Sequence, residues 1–148
     1  MKIFTIIILL LLTSCGYQPV YLNSEFKNFQ FSKISTEGDI NINRQIINTI
    51  SFKEEINSLY PELLIKSLFN TIETSKNSKG QTESYRSNIF ISLEIKDKDK
   101  IIKEKTFSKV FSYSNKENKF ELIQYQNEIK NNLTNQAIQE IILYLNIE

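Results

Sequence analysis

Ile89-Phe90-Ile91-Ser92-Leu93-Glu94-Ile95 alternates apolar residues at odd positions with Phe90, Ser92 and Glu94 between them. A period of two over seven residues predicts a half-buried β-strand. Upstream, Asn77-Ser78-Lys79-Gly80 is a turn signal, and Gly80 reaches positive φ without steric cost. In residues 62–76, Leu64, Leu68 and Ile72 fit a helix as well as one face of a strand. A turn feeding a strand favours a hairpin with 62–76 as its partner. Downstream, Asp97-Lys98-Asp99-Lys100 is a second, fully charged turn. Thr106 to Ser114 then alternates again: Phe107, Phe111 and Tyr113 share one face, and Ser108, Val110 and Ser112 the other. Asn115 to Lys119 breaks the pattern. From Phe120 the period changes, and Ile129, Leu133, Ala137, Ile141 and Leu145 form an unbroken i, i+4 row of an amphipathic helix.

Before the hairpin, Phe29 and Phe31 alternate with polar neighbours up to Ile34, which predicts a first strand ended by Glu37-Gly38-Asp39. From Asn41, Ile42, Ile46 and Ile50 recur every four residues with Ile47 beside them. This predicts a helix that runs on through Ile56 and Leu59 and stops near Tyr60, because Pro61 biases the residue before it away from helical geometry. Ser51 and Glu54 also have the spacing of a capping box that would restart it. The order β-α-β-β-β-α gives an α+β domain over residues 29–148, its two helices laying apolar stripes on one face of a mainly antiparallel sheet.

Near its start the chain has Lys2 and a run from Ile3 to Leu12 that is apolar except for Thr5, then Thr13-Ser14-Cys15-Gly16. A basic start, a short apolar stretch and small residues before a cut point describe a secretory signal peptide over 1–14. The run is about half of the roughly 20 residues a membrane-spanning helix needs. Thr13-Ser14-Cys15 resembles the lipobox of bacterial lipoproteins, which implies that Cys15 becomes the acylated N-terminus. Residues 15–28, with Pro19 and several polar residues, read as a tether. Lys2 is the only charged residue of the leader, so the mature chain has equal numbers of basic and acidic residues. That balance gives no sign of a nucleic-acid partner. Cys15 is the only cysteine, and histidine is absent. The usual general base and the commonest metal ligand are therefore missing, and no metal or other cofactor is expected.

Cys15-Gly16-Tyr17-Gln18-Pro19-Val20-Tyr21, Gly80-Gln81-Thr82-Glu83-Ser84-Tyr85 and the run Lys105-Thr106-Phe107-Ser108 to Tyr113 before the last helix resemble the LPS-assembly lipoprotein LptE family, in its alphaproteobacterial form. The resemblance covers most of 15–147 and is loosest over 36–76. It implies two helices on one face of a four-stranded sheet. It also implies an outer-membrane lipoprotein, lipid-anchored and facing the periplasm inside a barrel lumen. There it would plug and assist assembly of the LptD β-barrel and bind lipopolysaccharide on its way to the outer leaflet. The other role weighed is a structural one in a different envelope complex.

Lipopolysaccharide carries phosphates and carboxylates, which basic side chains at an exposed turn hold by charge-assisted hydrogen bonds. Lys76, Lys79 and Arg86, around the Gly80 turn, are the candidates; the alternative is a solvated turn whose lysines keep it soluble. Lys96, Lys98 and Lys100 alternate with acids and read as a solvated turn. Tyr85, Phe107, Phe111 and Tyr113 read as core beneath the helices. Glu54/Glu55 and Glu121/Glu128 offer carboxylate pairs, but no nucleophile, metal cluster or phosphate loop accompanies them, and no enzyme activity is expected.

Overall fold

The structure is a computed structural model that describes residues 29–56 and 59–147. Cys15, the leader and the tether lie outside the described residues. The elements are β1 (Gln30–Phe31), β2 (Lys33–Gly38), α1 (Ile40–Ile50), β3 (Lys53–Glu54), β4 (Glu62–Lys76), β5 (Thr82–Asp97), β6 (Lys100–Ser114) and α2 (Lys119–Ile147). The main sheet has the order β2-β4-β5-β6. β2 runs parallel to β4, and the other two pairings are antiparallel. A small second sheet pairs β1 with β3.

The two-residue alternation sets which side of the sheet is covered. Leu63, Ile65, Ile89, Ile91, Leu93, Phe107 and Tyr113 point to the helices and are buried. Ile42, Ile46 and Ile50 of α1 and Ile129, Leu133, Ala137 and Ile141 of α2 meet them, completing one core. The helices touch each other through Gln45 Nε2, which donates to Asn135 Oδ1 at 2.8 Å. Residues 62–76 are strand throughout, as the hairpin argument expects.

α1 ends ten residues before the expected stop. Ser51 takes a left-handed conformation (φ 59°), and its successor Phe52 donates its N–H to Ile47 O at 3.2 Å. That turn drives Phe52 edge-on against Phe29 and Phe31, at ring distances of 6.0 and 5.5 Å. Lys53 and Glu54 then pair with β1, so no capping box restarts the helix. Burying an aromatic ring outweighs continuing the periodic isoleucines, and Ile56 and Leu59 are left exposed. The first strand also differs from expectation. It breaks at Ser32, whose N–H goes to Pro61 O at 2.9 Å, and resumes as β2 through Gly38. β6 begins at Lys100 instead of Thr106, because pairing with β5 extends to Asp97↔Lys100.

The β2–α1 junction is closely built. Gly38 has φ 89°, and a Cβ there would lie 1.8 Å from Ser67 O. The next residue, Asp39, donates its N–H to that same oxygen at 3.2 Å. Its carboxylate caps α1 by accepting from the amides of Asn41 (3.0 Å) and Ile42 (3.2 Å). It also accepts from Lys130 Nζ of α2 at 2.5 Å. Burial pushes the Asp39 carboxyl up, but Lys130 and the two helix amides outweigh it and hold it below the ordinary carboxylate value.

Candidate ligand surface at the hairpin tip

The β4–β5 turn is held by one asparagine. Asn77 Oδ1 accepts from the amides of Lys79 (2.9 Å) and Gln81 (3.0 Å), and Asn77 O accepts from Gly80 N (2.9 Å). Asn77 closes its own turn this way because a short amide side chain mimics the backbone. Gly80 sits at φ 79° in open space. Bulges between Glu73 and Lys76 let Ser75 oppose Ser84. There the hydroxyls of Thr74 and Ser75 both share hydrogen bonds with Ser84, at 2.7 and 2.6 Å.

Lys79 stands at the apex of this turn, exposed, and its ammonium meets no described residue. Lys76 is at the same end but pairs with Glu73 at 3.2 Å. The Lys76 ammonium and then the Thr82 hydroxyl keep the Glu73 carboxyl below its ordinary value. Arg86 is set back. It pairs with Ile72, four residues along β5 from Thr82, the partner of Lys76. At roughly 3.4 Å per residue that is about 14 Å from the Lys76–Thr82 pair. Its Nε donates to Ser112 Oγ at 3.3 Å on the helix-free face. The fold thus brings Lys76 and Lys79 together and places Arg86 apart from them.

It also adds a cation that the sequence reading passed over. The register Ser84↔Ser114 carries the β6–α2 loop to the tip. Asn115 fastens it, donating from N to Glu83 O and from Nδ2 to Thr82 O, both at 2.7 Å. Lys116 follows and lies 5.1 Å from the ring centre of Tyr125. Ser75, Ser84, Asn115 and Lys116 line an open polar concavity of about 590 Å³, together with the acids Glu83 and Glu117. Its hydroxyls, amides and the one ammonium of Lys116 offer hydrogen bonds, while Glu83 and Glu117 oppose an anion, so the positive charge at this end is that of Lys79 and Lys76 outside the concavity. Only the strand register joins Lys116 to Lys79.

The other candidate groups fall elsewhere. Phe107 and Tyr113 are buried, and Tyr85 stacks on Tyr113 at 5.7 Å. Phe111 departs from the core reading and is 44% exposed, because α2 leaves a gap beside it. Glu54 accepts from Ile34 N and Glu55 from Gln30 Nε2, so both serve the β1–β3 corner. On the helix-free face at the far end of β5, Glu94 is buried between Lys66 (2.5 Å) and Lys96 (3.5 Å). The Lys66 hydrogen bond holds its carboxyl below the ordinary value despite burial, and Glu94 in turn raises Lys66.

No protein-family model and no curated protein sequence matches this chain. Solved structures match it in fold. Rare lipoprotein B from Shewanella oneidensis aligns with a TM-score of 0.58 at 12% identity, over 76% of this chain and 92% of that one. Uncharacterized lipoprotein B from Nitrosomonas europaea gives 0.53 at 10% identity, over 84% and 88%. A minor lipoprotein from Acinetobacter baumannii gives 0.50 at 14% identity, over 78% and 92%. At these identities the likeness is one of fold.

Proposed function

We propose that this protein is an LptE-type outer-membrane lipoprotein, anchored through acylated Cys15, that plugs and helps assemble an LptD-type β-barrel and binds lipopolysaccharide. The observation that carries the reading is the fold, two helices on one face of a β2-β4-β5-β6 sheet, shared with bacterial lipoproteins by a chain whose own start resembles a lipobox. Its hairpin tip supplies the anion-binding chemistry. Lys79 offers an ammonium unpaired among the described residues, Lys76 and Lys116 belong to the same end of the sheet, and Arg86 stands further down the strand. Phosphates of lipopolysaccharide gain charge-assisted hydrogen bonds there, and salt weakens the contact by screening exposed charges.

Two measurements test it. Full-length protein is purified from envelope membranes, and a large β-barrel should co-purify. Its absence, with acylation intact, would favour a structural role in another envelope complex. Lys76, Lys79 and Arg86 are also replaced together by Ser. Lipopolysaccharide binding at low salt should weaken while folding and the barrel complex persist. Equal affinity at low salt would leave the tip a solvated turn.

A further inference from the structure

Between α2 and β6 lies a cleft of about 120 Å³ that the tip does not include. Its floor is Ile129 and Leu133, both buried. Its wall is the half-exposed ring of Phe111, stacked on Tyr113 at 6.3 Å and 19°. Tyr113 in turn meets Tyr125 edge-on at 5.5 Å, which fixes the upper end. Along the rim run Glu128, Asn132 and Gln136. Four-residue spacing stacks these three on one line of the helix.

The rim side chains form no hydrogen bond or ion pair with any described residue. Several other polar groups of α2 are engaged among the described residues, though Asn131 and Gln139, which point away from the cleft, are not. Asn135 holds Gln45, Lys130 holds Asp39, and the Thr134 hydroxyl donates to Lys130 O. One turn further along the same line, Glu140 is taken by Lys109 of β6. The line therefore meets a charged partner at Lys109, and two residues later on β6 it meets the bare face of Phe111. What remains is an apolar wall opposite a row of open donors and acceptors.

We propose that this cleft binds one pyranose ring of a saccharide. A sugar ring has a face of C–H groups and an edge of hydroxyls. The C–H groups carry slight positive charge and settle on the negative face of an aromatic ring. The Glu128 carboxylate accepts hydrogen bonds, and the Asn132 and Gln136 amides both donate and accept, so adjacent hydroxyls can be met in pairs. A ligand site needs an apolar surface and a few placed polar groups, and this one has both. Its size admits one ring, with the rest of the saccharide outside. An aromatic side chain from a partner protein would cover Phe111 and leave the three rim groups unanswered, which favours the sugar.

The ring could come from the oligosaccharide of lipopolysaccharide or from an N-acetylated cell-wall glycan. Full-length protein in detergent is titrated with delipidated core oligosaccharide and, separately, with an oligomer of N-acetylglucosamine. Saturation-transfer NMR reads which ring protons touch the protein. Asn132→Ala with Gln136→Ala removes exposed groups only, so melting should not change while binding weakens about tenfold or more. Phe111→Leu should abolish saturation transfer to the ring C–H protons. Binding of the N-acetylglucosamine oligomer alone would sustain the cleft and count against the lipopolysaccharide reading. The proposal is overturned if neither sugar binds at millimolar concentration. It also fails if core oligosaccharide binding survives the rim variants and is lost only on replacing Lys76, Lys79 and Arg86; that result would keep the tip and remove the cleft.

Discussion

Gly38→Ala should be among the most damaging single methyl additions to this domain. Two costs combine at that position. At φ 89° an L residue is strained by about 1–2 kcal/mol. The new Cβ would also fall 1.8 Å from Ser67 O, a backbone atom that cannot swing aside as a side chain would. Relief requires β2 and β4 to part there, which breaks the 3.2 Å bond from Asp39 N to Ser67 O. A lost hydrogen bond costs about 1 kcal/mol net. Asp39 would be displaced from the first turn of α1, and a lost N-cap adds about another 1 kcal/mol. The total is about 3–4 kcal/mol. Gly80→Ala is the matched control, since Gly80 has φ 79° and no heavy atom within 4 Å of the added Cβ. It carries only the backbone cost of about 1–2 kcal/mol. For a domain of this size each kcal/mol lowers the melting temperature by about 3–5 °C. Thermal unfolding followed by circular dichroism should therefore fall by about 10–20 °C for Gly38→Ala and by less than half of that for Gly80→Ala. Equal losses would refute the reasoning, because they would mean that the strands absorb the methyl group freely.

Leu133→Ala, in the buried row of α2, should cost about 2–5 kcal/mol by calorimetry, and an unchanged transition would mean that this face is not core. Asp39 and Glu94 have carboxyl values lowered by folding, so the unfolded chain binds more protons in acid. Their stabilisation is present above the ordinary carboxylate range and is lost as pH falls through the depressed folded values. Melting temperature should drop from about pH 5 downward, and Glu94→Gln should flatten that limb; an identical acid profile in the variant would remove Glu94 as a contributor. Cys15→Ser should abolish acyl labelling and shift the protein out of the membrane fraction unless a barrel retains it, and undiminished labelling would sink the lipoprotein reading.

The parts of the fold legible in sequence were those where one period governs a long stretch. β5 and α2 are such stretches, because each lies against a single apolar surface along most of its length. The end of α1 was not legible. Ile56 and Leu59 keep the four-residue spacing, and the decisive event is Phe52 meeting Phe29 and Phe31, more than twenty residues away. The start of β6 was hidden for a related reason: Lys103, Glu104 and Lys105 mask the alternation, and only pairing with β5 makes them strand. At the tip, Lys76 and Lys79 are near in sequence and near in space. Arg86 looked equally near, but strand rise carries it away. Lys116 looked remote, and the register brings it back. Phe111 was misread because alternation assigns a face and does not say whether a helix covers all of it.

The parallel pairing of β2 with β4 has a mechanical meaning. β2 enters the sheet at Lys33 and runs alongside β4 for six residue pairs, to Gly38. A pull on Phe29, directed out of that end along the strand, does not peel the pairs open one after another. It loads all six in shear, so they bear the force together and give way together. The edge that the N-terminal segment leaves is thus the one arranged to resist tension. The hairpin tip, at the opposite end of the sheet, lies off the line of force and keeps its shape while the edge is under load.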